Sequence, residues 1–127
     1  MNLAATIALA LFTSLLGTSV LAEDLRLVGN IEPVGIKVYV DRDSISRRAH
    51  ISNVTVIAMP DPTRKNADNM PFSFDCADKL YYLPDGKTTS IDTPMKWEKN
   101  GSSYALSVKT IPNIFSVACK SSWEFWK

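Results

Sequence analysis

Histidine and cysteine are scarce in this 127-residue chain, which holds one His and two Cys. With His50 alone, a multi-histidine metal site cannot be assembled. If both cysteines are bonded, His50 also has no thiolate to activate. Neither sign of charge is in excess: 14 Lys and Arg face 13 Asp and Glu, for a formal net charge of +1. Nucleic-acid binders carry a basic excess concentrated on one face, so that class is excluded. No Gly-x-Ser-x-Gly or other nucleophile setting occurs. Asp41-x-Asp43 begins like a calcium loop, but Ile45, Ser46 and Ser52 stand where an EF-hand needs a ligand, a glycine and a glutamate. Asp41 and Asp43 therefore read as turn and cap residues. Asp75 and Asp78 flank Cys76, yet strand alternation sends their side chains to opposite faces, so they make no acid pair. No catalytic residue, cofactor or metal is expected, and the chain does not read as an enzyme.

Charge is missing altogether from residues 1–22, MNLAATIALALFTSLLGTSVLA. An apolar run over Leu3–Leu16, then small residues ending Val20-Leu21-Ala22, has the form of a secretory signal peptide cleaved after Ala22. Thr6, Thr13, Ser14, Gly17 and Thr18 make the same stretch a poor membrane span. The cleaved protein would begin at Glu23, without a cysteine to carry a lipid, and so without a stable membrane anchor. Residues 23–127 then form one domain, exported to the periplasm, the medium or the cell surface. Such compartments are oxidising, which predicts a Cys76–Cys119 disulfide. Closing so long a loop contributes about 4 kcal/mol in the chain-entropy model, comparable with the net stability of a small domain.

What is present is period-two alternation. The stretch Pro71–Leu83, PFSFDCADKLYYL, sets Phe72, Phe74 and Cys76 on one side and Ser73, Asp75 and Ala77 on the other. A bulge near residues 77–79 would spare Asp78 from the apolar row and return Leu80 and Tyr82 to it. Upstream, Leu25–Val28 starts a strand that Gly29-Asn30 interrupts, and Ile36–Asp41 alternates cleanly. Residues 41–49 are polar and read as a connection, while His50–Met59 is β-branched and reads as a strand. Residues 63–70 read as an exposed loop. Downstream come a turn at 84–87, a return strand at 88–91, a short strand at 95–98, a turn at Asn100-Gly101 and a strand at 104–108.

The period then changes. Ile114, Val117 and Ala118 recur at helical spacing, and Pro112 and Asn113 suit a helix start, which predicts a short helix over 113–120. Trp97 is expected in the core between this helix and the sheet. Trp123, Phe125 and Trp126 crowd the C-terminus, where they either fold back on the sheet or form an exposed contact surface. The fold class is α+β: an antiparallel sheet with a short C-terminal helix packed on one face and one disulfide.

Several of these segments together resemble the bacterial surface-adhesin protein E family. The resemblance rests on Tyr39-Val40-Asp41, on Ser44-Ile45 with Arg47-Arg48, and on Phe74-Asp75-Cys76-Ala77. Trp97 and the late Cys119 after Ile111-Pro112 add to it, so that it spans residues 25–120. Two departures stand out: the lipid-bearing cysteine is missing, and Leu25-Arg26-Leu27 stands where many relatives carry a tryptophan. The family implies a helix held on the sheet by the cysteine bond, adhesion to host extracellular-matrix proteins, and dimers.

The expected function is non-enzymatic binding of an extracellular protein or glycan, with a homodimer implied by the family. The alternative is a periplasmic structural or assembly protein that docks a cell-envelope partner. Candidate ligand-binding residues are Arg42, Arg47 and Arg48, whose guanidinium forks suit acidic or sulfated partners, and Trp123, Phe125 and Trp126 of the tail. The bland alternative for the arginines is a solvated turn.

Overall fold

The computed structural model describes residues 24–63 and 65–120. Among the described residues, nine elements follow in order: β1 (Leu25–Glu32), β2 (Ile36–Arg48), β3 (Ile51–Met59), β4 (Asp68–Asp75), β5 (Leu80–Tyr82), β6 (Thr88–Ser90), β7 (Lys96–Lys99), β8 (Ser102–Leu106) and the helix α1 (Thr110–Ala118). The strands form one eight-stranded sheet in the order β6-β5-β4-β3-β2-β1-β8-β7. Every pairing is antiparallel. The domain is thus an antiparallel sheet with one short C-terminal helix and a Cys76–Cys119 disulfide.

One strand face supplies the core. Val38 and Val40 of β2, Val54, Val56 and Ala58 of β3, and Phe72 and Phe74 of β4 are all buried, each two residues from the next in its strand. Ile111, Ile114 and Ala118 of α1 belong to the same apolar cluster. The helix makes its main contacts with β1, β2 and β3. Its seating requires Gly29, because a Cβ there would lie 1.9 Å from Thr110 Oγ1. Asn113 Nδ2 donates to the Val28 carbonyl at 2.8 Å, and Ser52 Oγ donates to the Ala118 carbonyl at 2.6 Å.

Several boundaries differ from those the sequence suggests. Gly29-Asn30 do not end β1; the register shifts between Leu27 and Gly29, and the strand runs on to Glu32. The polar stretch 41–48 is the second half of β2, not a connection, with an irregularity between Asp41 and Ser46. The actual turn is Ala49-His50, where Ala49 takes φ 55°. Likewise β4 starts at Asp68, inside the expected loop. Pro71 is tolerated because β5 pairs only with Phe74 and Asp75, so the outer side of β4 is a free edge at Pro71.

The stretch Pro71–Leu83 is a hairpin rather than one bulged strand. Asp75 Oδ1 accepts hydrogen bonds from the backbone N–H groups of Ala77 and Asp78 at 3.0 and 3.1 Å, turning the chain over residues 76–79. The phase after this turn buries Tyr81, 1% exposed, and leaves Tyr82 37% exposed, the reverse of the expected order. Burial pushes the Tyr81 phenol above its ordinary value of 10.0, and its hydroxyl donates to the Thr93 carbonyl at 3.0 Å.

The β5–β6 pairing and the Asn100-Gly101 turn agree with the sequence, the turn residues taking φ 53° and 78°, whereas β8 begins before the expected strand and ends at Leu106, leaving Val108 exposed. The helix begins three residues early. Pro112 sits in its first turn, where a backbone N–H has no intrahelical acceptor, so its missing donor costs nothing. Asn113 does not cap the helix; Lys109 holds that position without a side-chain hydrogen bond. Trp97 is partly buried against the core cluster, as expected, and it stacks on Tyr104 across the β7–β8 pair, with ring centroids 6.0 Å apart.

Two stability predictions follow from the helix's anchors. Replacing Gly29 with Ala should destabilise the fold by about 1–3 kcal/mol through overpacking against Thr110, read as a lower urea midpoint with an unchanged slope. Removing the disulfide in a Cys76→Ala/Cys119→Ala double variant should cost about 4 kcal/mol. An unchanged midpoint for that variant would show that the crosslink adds nothing to the packing of α1.

Candidate functional site

The basic residues singled out in the sequence lie near one end of the sheet, but they do not converge. Arg47 and Arg48 are consecutive in an extended strand, so their side chains leave on opposite faces. Arg47 pairs in register with the buried Ser52, and its Nη1 donates to the Lys120 carbonyl at 3.2 Å. It thereby places a positive charge on a carbonyl just beyond the helix C-terminus. Arg42 lies at the middle of β2, six residues before Arg48, where its Nε is 2.8 Å from Asp24 Oδ2; both side chains are more than a third exposed, so the pair is worth little. Of the three, Arg48 makes no ion pair or side-chain hydrogen bond among the described residues.

His50 occupies the β2–β3 turn beside the crosslink. Its carbonyl accepts from Cys76 N–H at 2.7 Å, and its Nε2 lies 3.9 Å from Asp75 Oδ2. The cysteines have Cα atoms 5.5 Å apart across a sequence separation of 43. The hairpin tip, the 76–79 turn and the end of α1 are thus tied into one rigid corner, with Arg48 and the His50 imidazole on its surface. Trp123, Phe125 and Trp126 lie outside the described residues. Among the described residues, no group of three or more His, Cys, Asp or Glu side chains could hold a metal ion. No helix among them is long and apolar enough to cross a membrane.

A second site, not singled out in the sequence, lies at the end of the sheet where β1 and β3 finish and β2 and β4 begin. Trp97 and Tyr104 wall a hollow of about 300 Å³ whose apolar lining includes Ile31, Ile36 and Ala58. Asp68, Lys99 and Asn100 also line it. A separate open concavity of about 560 Å³ involves the same two aromatics together with Glu32, Lys96 and Glu98. The signal for the pair was present in the sequence as the short alternating segments around Trp97 and Tyr104. Their meeting with β3 and β4 residues depends on strand order, which local alternation does not encode.

No protein-family model matches the sequence, and no curated protein and no solved structure matches it either.

The two neighbouring arginines should respond differently to truncation. Arg47→Ala should lower stability by roughly 0.5–1 kcal/mol by releasing the Lys120 carbonyl. Arg48→Ala should stay within about 0.5 kcal/mol of the parent. Equal melting temperatures for the two variants would refute a structural role for Arg47.

Proposed function

We propose that this chain is an exported, non-enzymatic binding protein of the surface-adhesin protein E type. In this reading α1 is laid on one face of the sheet, and the protein presents a rigid surface to an extracellular protein or glycan. The observation that carries it is the disulfide-braced corner: both cysteines are consumed in holding the end of α1 to the 76–79 turn. A bond of that kind suits an oxidising compartment, and the uncharged leader at residues 1–22 has the composition of an export signal. Around the corner, Arg48 and His50 are exposed on a backbone that binding would not have to order. Arg42 is set apart and partly neutralised by Asp24, so it contributes charge to the surface at large rather than to one point.

Cell fractionation combined with surface-protease treatment of intact cells tests this reading. The expected result is a processed protein starting near Glu23, either digested by external protease or recovered from the medium. Full protection inside the periplasm would overturn the adhesive reading and favour an envelope-assembly role. Binding carried by the basic corner should also weaken as salt rises, since exposed charges are largely screened beyond about 8 Å at physiological ionic strength.

A further inference from the structure

We propose that the Trp97–Tyr104 hollow is a binding site for a neutral sugar ring. The aromatic pair is stacked, with an interplanar angle of 24°, and both residues are only partly buried, so aromatic surface remains open to a ligand. Aromatic faces are electron-rich and attract the weakly positive C–H bonds that line the apolar side of a pyranose. Ile31, Ile36 and Ala58 extend that apolar contact across the hollow.

The polar groups narrow the class of ligand. Asp68 carries only acceptors, Lys99 only donors, and Asn100 both. Neither Asp68 nor Lys99 forms an ion pair among the described residues, so both are free to meet a ligand. Their opposite charges disfavour a ligand with strong net charge: an anion would meet Asp68, and a cation would meet Lys99. A wholly apolar ligand would desolvate both without replacing their hydrogen bonds. Hydroxyl groups, each donor and acceptor at once, satisfy the carboxylate, the ammonium and the amide together. The volume, about 300 Å³, lies at the lower bound of small-molecule sites, which suits a ring or a short saccharide rather than a folded partner.

The inference deepens the reading of the chain as a binding protein, but it uses the opposite ends of β2 and β3 from the basic corner. The test is an NMR titration of the isotope-labelled exported protein with maltotriose, cellotriose and tri-N-acetylchitotriose. At least one trisaccharide is expected to shift the Trp97 indole N–H and the Tyr104 ring signals, with affinity unchanged in ~1 M NaCl, where screening reaches about 3 Å. Trp97→Ala should weaken that binding about tenfold or more. Because Trp97 also packs against the core, Asp68→Asn provides a second variant at an exposed position, and it should weaken binding by about tenfold. Arg48→Ala should leave it unchanged. Failure of all three trisaccharides to move the Trp97 and Tyr104 signals overturns the inference, as does binding that tracks Arg48 and disappears with salt. A surface-exposed protein that ignores the trisaccharides would fail this inference alone. A periplasmic protein that binds one of them would fail only the adhesive reading.

Discussion

The pinning of α1 at both ends is the constraint on which the rest of the molecule depends. Nine residues of helix are too few to be stable alone in water. Here the N-terminal end sits over Gly29, where no side chain intervenes, and is tied by Asn113 to the Val28 carbonyl. The C-terminal end is held by Ser52 through the Ala118 carbonyl, by Arg47 through the Lys120 carbonyl and by the Cys76–Cys119 bond. The Ser52 hydroxyl is fully buried, and its hydrogen bond to the helix is what makes a polar residue acceptable in that row. Noncovalent packing and the crosslink thus constrain the same short element from different sides.

Helix length then decides how the two flanks of the sheet are covered. At about 1.5 Å per residue, α1 spans about 14 Å, whereas eight strands about 4.8 Å apart span roughly 34 Å. The helix correspondingly makes its main contacts with β1, β2 and β3. On one flank, aromatic bulk makes up the difference: Phe74 meets Phe115 of α1 edge-on at 5.7 Å, and Phe72 lies between Phe74 and Tyr81 in ring contact with both. On the other, Trp97 and Tyr104 stack on each other and leave a hollow between themselves and β3. The hollow combines the ends of β1, β2 and β3 with the β7–β8 hairpin and the bend at Pro60.

The same physics explains which features were legible in the sequence. Segments with one buried face announced themselves, as at Ile36–Val40 and Phe72–Phe74, because burial imposes the period of two. Residues 41–48 form a strand whose side chains are mostly solvated, so nothing enforced the alternation and polarity alone suggested a loop. Cys76–Lys79 continued an apparent apolar row into what is a turn; the decisive signal was Asp75, whose carboxylate caps the following N–H groups. Pro112 marked the helix start to within its first turn, since proline is harmless anywhere among the orphan donors. The basic group was legible as composition but not as geometry, and of the aromatic hollow only the Trp97 and Tyr104 segments were legible, because the rest of its lining comes from strands far apart in sequence.

That difference in geometry bears on how much each surface can contribute to binding. Anion recognition by arginine gains strength from several guanidinium groups converging on one partner. Backbone alternation separates Arg47 from Arg48, and Arg47 and Arg42 already have partners in the fold. In the binding reading, Arg48 would supply modest, salt-screened attraction, better suited to steering an encounter than to holding it. The hollow has the opposite character: apolar area and aromatic faces on a fixed sheet, with little net charge at its rim. Its contribution would persist in salt and would depend on ligand shape. A partner that engaged both surfaces would combine a charge-dependent approach with a charge-independent grip, and the rigid sheet between them would fix the spacing that such a partner must match.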